Sequence, residues 1–388
     1  MSPPGTAGSY QLPDLLSHFQ DYHELSINSH CYAASLASGK WVRDEEHSDS
    51  PSVLLASDRL ASMKLGLLGA CSFPSCDLTQ LVLMMDVWTL IILDTQLLLR
   101  SDFPTMSRWD FVDENSHFGY IELLRTHPVL QRLVPRLSRL KDSTSDFWQQ
   151  RFASSIAAFR RSQQKAIDYR LEGPALAQLG IDEYIDFRRD FSGMPIILDL
   201  IEPVGGLKFD IPIYDEDLCT LRRLVGEIIV LSWDVFSYNI DQFTDNKLNI
   251  VSLLQSEREV ALVHSIKDAG DLILQRLSSF KSLEKSLLSS VGELPQAPAS
   301  KTSAASLKSW FSFDLFSETQ KLNNPRSSIT EFQAHDIALY VRSLKDCMIG
   351  FLNWTYETDM FFGTKGESVK SFGWVFLLPP QHTSGTGA

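Results

Sequence analysis

Apolar residues recur at helical intervals along most of this chain. Leu130, Leu133, Val134, Leu137 and Leu140 fall three and four residues apart, as do Leu262, Ile266, Ala269, Leu272 and Ile273, which predicts helices with one buried face. Leu221, Leu224, Val225, Ile228, Ile229 and Val230 form a denser run and predict a mostly buried helix leading straight into residues 232–241. Residues 81–99 are the most apolar stretch, while alternating runs of strand type are scarce and no internal repeat is visible. The pattern predicts an all-α fold, a bundle of packed helices around a central apolar cavity, because bundles commonly place ligand sites between facing helices.

Composition sets the outer limits. With 388 residues and 44% hydrophobic positions the chain can bury a large core, and one helical domain is expected over 14–379. Residues 1–13 and 380–388, rich in Pro, Gly, Ser and Thr, are expected to be disordered, and a similar stretch near 291–307 to form a mobile loop. Asp86 and Asp94 interrupt the most apolar stretch, each costing roughly 2.5–3.5 kcal/mol at a bilayer centre, so no transmembrane helix is predicted. The first residues lack a basic patch followed by an apolar core, which argues against a secretory signal. A net charge of −13 without a Lys/Arg-rich run argues against nucleic-acid and membrane partners. The five cysteines are odd in number and scattered, as expected of reduced thiols in a cytoplasmic protein. No zinc-ligand, nucleophile-elbow or phosphate-loop motif occurs.

The segment Ser-Trp-Asp-Val-Phe-Ser-Tyr-Asn-Ile-Asp at 232–241 carries the most chemistry. On a helix Trp233, Ser237 and Asp241 share one face, which presents a hydroxyl and a carboxylate beside an indole. The segment resembles the second metal motif of class I terpene synthases, N-D-x-x-S-x-x-x-E, with Trp233 at the Asn position, Asp234 and Ser237 matching, and Asp241 replacing Glu. Three further segments extend the resemblance. Asp94, closing the apolar run at 81–98, stands at the first position of the Asp-rich metal motif, whose other acidic positions hold Thr95 and Leu98. Arg188 and Arg189, in Tyr184–Gly193, are similar to the Arg pair that senses diphosphate, and a guanidinium fork suits that task. Residues 353–362 are similar to the closing W-x-x-x-T-x-R-Y element, with Met360 and Phe361 at the Arg and Tyr positions. Fainter matches include Asn28 to His30, Trp41, Phe73, Arg151 with Phe152, and Asn249 with Val251.

The resemblance implies an isoprenoid site in which polar groups have given way to apolar ones. Asp94, Arg188, Asp234 and Asp241 are the candidate catalytic residues. Buried carboxyls can have raised pKa values and donate a proton to an alkene, epoxide or alcohol. Trp88, Arg189, Trp233, Phe236, Ser237, Trp354, Tyr356, Met360 and Phe361 are the candidate substrate contacts. The leading expectation is a terpene cyclase-like enzyme of secondary metabolism, of fungal type, acting on a terpenoid intermediate with little or no use of magnesium and no other cofactor. The first alternative is a magnesium-dependent sesquiterpene-type cyclase with a residual metal site at Asp94, Ser237 and Asp241. The second is a non-catalytic relative that binds a terpenoid or a companion cyclase, and a homodimer is compatible with all three.

Overall fold

The computed structural model describes residues 8–42, 57–98, 119–171, 179–208, 212–292 and 331–379. The helices, in chain order, are α1 (Leu15–Gln20), α2 (Cys31–Val42), α3 (Ser57–Ser62), α4 (Leu65–Ser72), α5 (Leu78–Leu98), α6 (Tyr120–Arg125), α7 (Val134–Leu137) and α8 (Asp146–Leu171). They continue as α9 (Ile181–Phe191), α10 (Met194–Val204), α11 (Pro212–Phe243), α12 (Ile250–Arg258), α13 (Leu262–Gly292), α14 (Glu331–Glu357), α15 (Asp359–Phe362) and α16 (Gly366–Phe372). Two three-residue strands, β1 (Ser9–Gln11) and β2 (Trp374–Phe376), pair antiparallel with Tyr10 opposite Val375. The fold is all-α, with this small ribbon as the described sheet.

Helix α11 forms the axis, packing on α9, α10, α12, α13 and α14, and its apolar run from Leu221 to Leu231 supplies the buried face. Helix α5 packs on α2, α4, α8 and α10. It is long and apolar enough over Leu78–Gln96 to span a bilayer, yet 72% of that stretch is buried inside the protein. Helix α14 lies directly on α4. A Cβ at Gly350 would stand 2.5 Å from the Cys71 carbonyl, so only glycine permits this approach.

Three departures from the sequence expectation have local causes. Residues 8–13, expected to be disordered, include β1, because Tyr10 and Leu12 bury and Tyr10 meets Tyr238 edge-on at 5.8 Å. The Leu130–Leu140 periodicity forms no single helix: a 3-10 turn, the short α7 with Pro135 in its first turn, and a second 3-10 turn follow one another. Proline cannot donate to the preceding turn, so the helical path restarts there. Helix α13 runs on to Gly292, and the rest of the expected loop, like residues 1–7 and 380–388, lies outside the described residues.

The fainter matches turn out to be structural ties. Asn28 donates to the carbonyls of Phe73 and Cys76 and accepts from the His30 amide, joining the α2 entry to the α4–α5 turn. Arg132 and Arg136 both stack on Trp41. Arg151 bonds Asp199 at 2.9 Å and pairs with Glu202, while Phe152 stacks on Trp148. All five cysteines are free thiols.

Candidate active site

The site lies between α5, α9, α10, α11 and α14. A cavity there is lined by Trp88, Ile92, Thr95 and Gln96 from α5, Arg188 from α9, and Ser192 in the turn that follows. Met194 of α10, Ile229, Val230 and Trp233 of α11, and Phe351 of α14 complete the wall. Its volume of about 30 Å³ is room for about two water molecules. The tight α9–α10 turn sets the polar edge. Gly193 adopts φ +67°, and a Cβ there would stand 2.7 Å from the Ile91 side chain, so a side chain is excluded by both backbone and packing.

Of the expected site residues, Trp88, Arg188 and Trp233 line this cavity. Arg188 is held by its Nε–H, which donates to Asp234 at 3.0 Å. Asp234 also accepts from the Tyr184 hydroxyl at 2.7 Å and the Ile250 amide at 3.1 Å. Burial pushes the Asp234 carboxyl above its usual range, with Arg188, Tyr184 and Ile250 acting against it. With all its described contacts inside this network, Asp234 is placed to fix Arg188 rather than to touch a ligand. Arg189 points the other way, pairing with Asp186 at 2.7 Å, Asp190 at 3.2 Å and Glu227 at 3.6 Å.

Asp94 does not line the cavity. Residues 88, 92, 95 and 96 form the cavity face of α5, and position 94 is rotated away from it. Its carboxylate accepts from the Gln163 amide on α8 and lies 3.6 Å from His127 Nε2. His127 Nδ1 accepts the amides of Val129 and Leu130, which puts the ring proton on Nε2, facing Gln163 Oε1 at 3.2 Å. Burial pushes Asp94 up to about 7, the Gln163 bond opposing it. Burial, with Arg160 nearby, pushes His127 down to about 3.

Ser237 and Asp241 remain neighbours. The Ser237 hydroxyl donates to Asp241 at 2.5 Å, and Asn249 and Asn246 donate to the same carboxylate at 2.9 and 2.8 Å. Burial raises the Asp241 carboxyl, and these three bonds work against it. Among the described residues no group of three His, Cys, Asp or Glu side chains could hold a metal ion. Magnesium is bound through one or two carboxylates plus water and substrate phosphates. One ion at Ser237 and Asp241, completed by ligand oxygens, would have to displace the Ser237 hydroxyl and the Asn246 and Asn249 amides from the Asp241 carboxylate, which is not among the cavity-lining residues. A cluster does not fit, because the Asp94 carboxylate is engaged on the α8 side.

The remaining expected contacts form an aromatic block. Trp233 meets Phe351 at 6.0 Å, Trp354 at 5.9 Å and, edge-on, Phe361 at 5.3 Å. Phe236 packs on Tyr356, Phe361 and Phe362. Trp354 and Phe236 are fully buried, and the Trp354 indole N–H donates to the carbonyls of Met63 and Lys64. Met360 lies in the first turn of α15, whose N-cap Thr358 accepts the Met360 amide and donates to the Met63 carbonyl. Thr95, Gln96, Ser192, Met194 and Phe351 were not anticipated as wall residues. For Thr95 and Gln96 the signal was the helical phase set by Trp88 and Ile92, one residue away from Asp94.

The comparisons with known proteins agree with this architecture. Residues 105–279 match the family described as terpene synthase family 2, C-terminal metal binding. The sesquiterpene synthase Agr1 of Cyclocybe aegerita is 26% identical over 95% of this chain and 93% of its own length. Sesquiterpene synthase 1 of Postia placenta is 25% identical over 95% of both chains. The crystal structure of α-eudesmol synthase superposes with a TM-score of 0.61 at 16% identity, covering 86% of this chain and 96% of that one. Hedycaryol synthase in complex with nerolidol gives 0.59 at 19% identity, covering 91% and 99%. In sequence the chain is similar to fungal sesquiterpene synthases, and its fold is that of the solved terpene synthases.

Proposed function

We propose that this chain is a sesquiterpene-type cyclase acting on a prenyl diphosphate through an atypical site, with Ser237 and Asp241 as its metal-ligating pair. The observation that carries this reading is Arg188: it lines an apolar cavity, and among the described residues only its Nε–H is committed to Asp234, which leaves the rest of the fork to meet anionic oxygens. The full-length similarity to fungal sesquiterpene synthases supports the reaction class. A magnesium ion at Ser237 and Asp241 would help neutralise the departing diphosphate. The chain's own wall does the rest. Ile92, Met194, Ile229 and Val230 exclude water, and Trp88, Trp233 and Phe351 offer π faces to a cation, worth about 2 kcal/mol or more where water is absent. At about 30 Å³ the cavity must widen to admit a prenyl chain.

The test is pyrophosphate release and product formation from geranyl, farnesyl and geranylgeranyl diphosphates, with magnesium and with excess chelator. Magnesium-dependent release is expected, and absence of release from all three would overturn the reading.

One observation favours a second reading. The Trp233–Phe361 contact fills with aromatic carbon two positions that are polar in the motifs this chain resembles, which suits a terpenoid without its diphosphate and a reaction with reduced metal dependence. No diphosphate release combined with turnover of a terpenoid alcohol or epoxide would select it, and saturable binding without turnover would select a non-catalytic terpenoid binder.

A further inference from the structure

Thr95 is 8% exposed and lines the cavity, and its hydroxyl has no hydrogen-bond partner among the described residues. A helical threonine normally has a local acceptor within reach. Thr355, inside α14, donates to the Leu352 carbonyl at 2.7 Å. Thr95 forgoes that bond and leaves its desolvation uncompensated inside the wall. Gln96 stands next to it on α5, Arg188 and Ser192 supply the polar lining from the α9 side, and Trp88, Ile92, Ile229, Val230 and Phe351 make up the apolar wall.

These features define what the polar spot can recognise. A threonine hydroxyl and a glutamine amide each both donate and accept, and neither carries charge. Their best partner is a group that also donates and accepts, which describes a hydroxyl and not a phosphate. A ligand hydroxyl would give the Thr95 hydroxyl the partner it lacks, whereas a hydrocarbon would leave it unpaired. We propose that Thr95 and Gln96 form a hydrogen-bonding subsite for a single uncharged hydroxyl, so that the cavity takes a terpene alcohol as ligand, whether as substrate or as product. The subsite does not rest on cyclase turnover. If diphosphate release fails while alcohol recognition persists, the proposal stands and the cyclase reading falls.

The experiment titrates farnesol and farnesene against the full chain, read by tryptophan fluorescence, since Trp88 and Trp233 line the cavity. The variants are Thr95→Val, which keeps the volume, and Thr95→Ser, which keeps the hydroxyl. Thr95→Val is expected to weaken farnesol binding about threefold to tenfold and leave farnesene unchanged, with Thr95→Ser close to the parent. The melting temperature of ligand-free Thr95→Val should not fall, because the lost hydroxyl had no partner. The proposal is overturned by equal effects on both ligands, by no effect on farnesol, by absence of saturable farnesol binding to the parent, or by a lower melting temperature in ligand-free Thr95→Val.

Discussion

The ring of Phe361 meets the indole of Trp233 edge-on, their centroids 5.3 Å apart at 84°. In the resembling motifs these two positions carry a phenol and an amide, and here each ring packs against the other. The two replacements form one packing unit, and neither polar group could be restored alone without facing an apolar neighbour.

This coupling is measurable. A double-mutant cycle with Trp233→Leu and Phe361→Leu, read by urea unfolding, should give an interaction of about 0.5–1.5 kcal/mol beyond the loss of buried area. A coupling near zero would mean that the two substitutions are independent.

Arg188 and Asp234 form a buried pair, so removing one partner leaves the other uncompensated. Asp234→Asn is expected to cost about 3–5 kcal/mol of stability. The double variant Arg188→Met/Asp234→Leu should lose less than the two single changes together, by about 1–3 kcal/mol. Chemical denaturation of the parent, the three single variants and the double variant checks both statements.

Titration of the α5–α8 contact has two opposing parts. Asp94, at about 7 in the folded chain against 3.8 normally, contributes stability that is complete below about pH 4 and is lost as pH rises through 7. His127, at about 3 against 6.5, contributes stability that is complete above about pH 6.5 and is lost as pH falls towards 3. Between pH 4 and 6.5 the two slopes, each up to about 1.4 kcal/mol per pH unit, largely cancel. Relative to the parent chain, Asp94→Asn should therefore gain stability as pH rises across this window, and His127→Gln should lose it. Unfolding midpoints at several pH values would show slopes of opposite sign.

The two carboxylates considered as metal ligands should also separate in activity. Asp241→Asn is expected to lower magnesium-dependent diphosphate release at least tenfold. Asp94→Asn should leave the magnesium concentration for half-maximal rate unchanged, because its carboxylate is bound to Gln163 on the α8 side. Equal shifts in both variants would place Asp94 at the metal after all.

The fold was legible where burial follows a simple helical period. The run from Leu221 to Val230 predicts α11, and Leu262 to Ile273 predicts part of α13, because side chains three and four apart must share a face. Among the candidate site residues, Trp88, Arg188 and Trp233 lie on the cavity wall. Asp94 lies off that wall, since a motif placed by similarity carries no information about helical phase and one residue rotates a side chain by about 100°. Thr95 and Gln96 stayed hidden for the same reason. Ser192 and Met194 were hidden because their position depends on the left-handed turn at Gly193.

Asn249 gives the site corner a kinetic character. Its Oδ1 caps α12 through the Val251 amide, while its Nδ2 donates to the Asp234 carbonyl and the Asp241 carboxylate of α11. One side chain thus closes the start of one helix and the end of another. Neither terminus can fray without releasing the other, so their backbone amides should exchange with solvent through a single shared opening event.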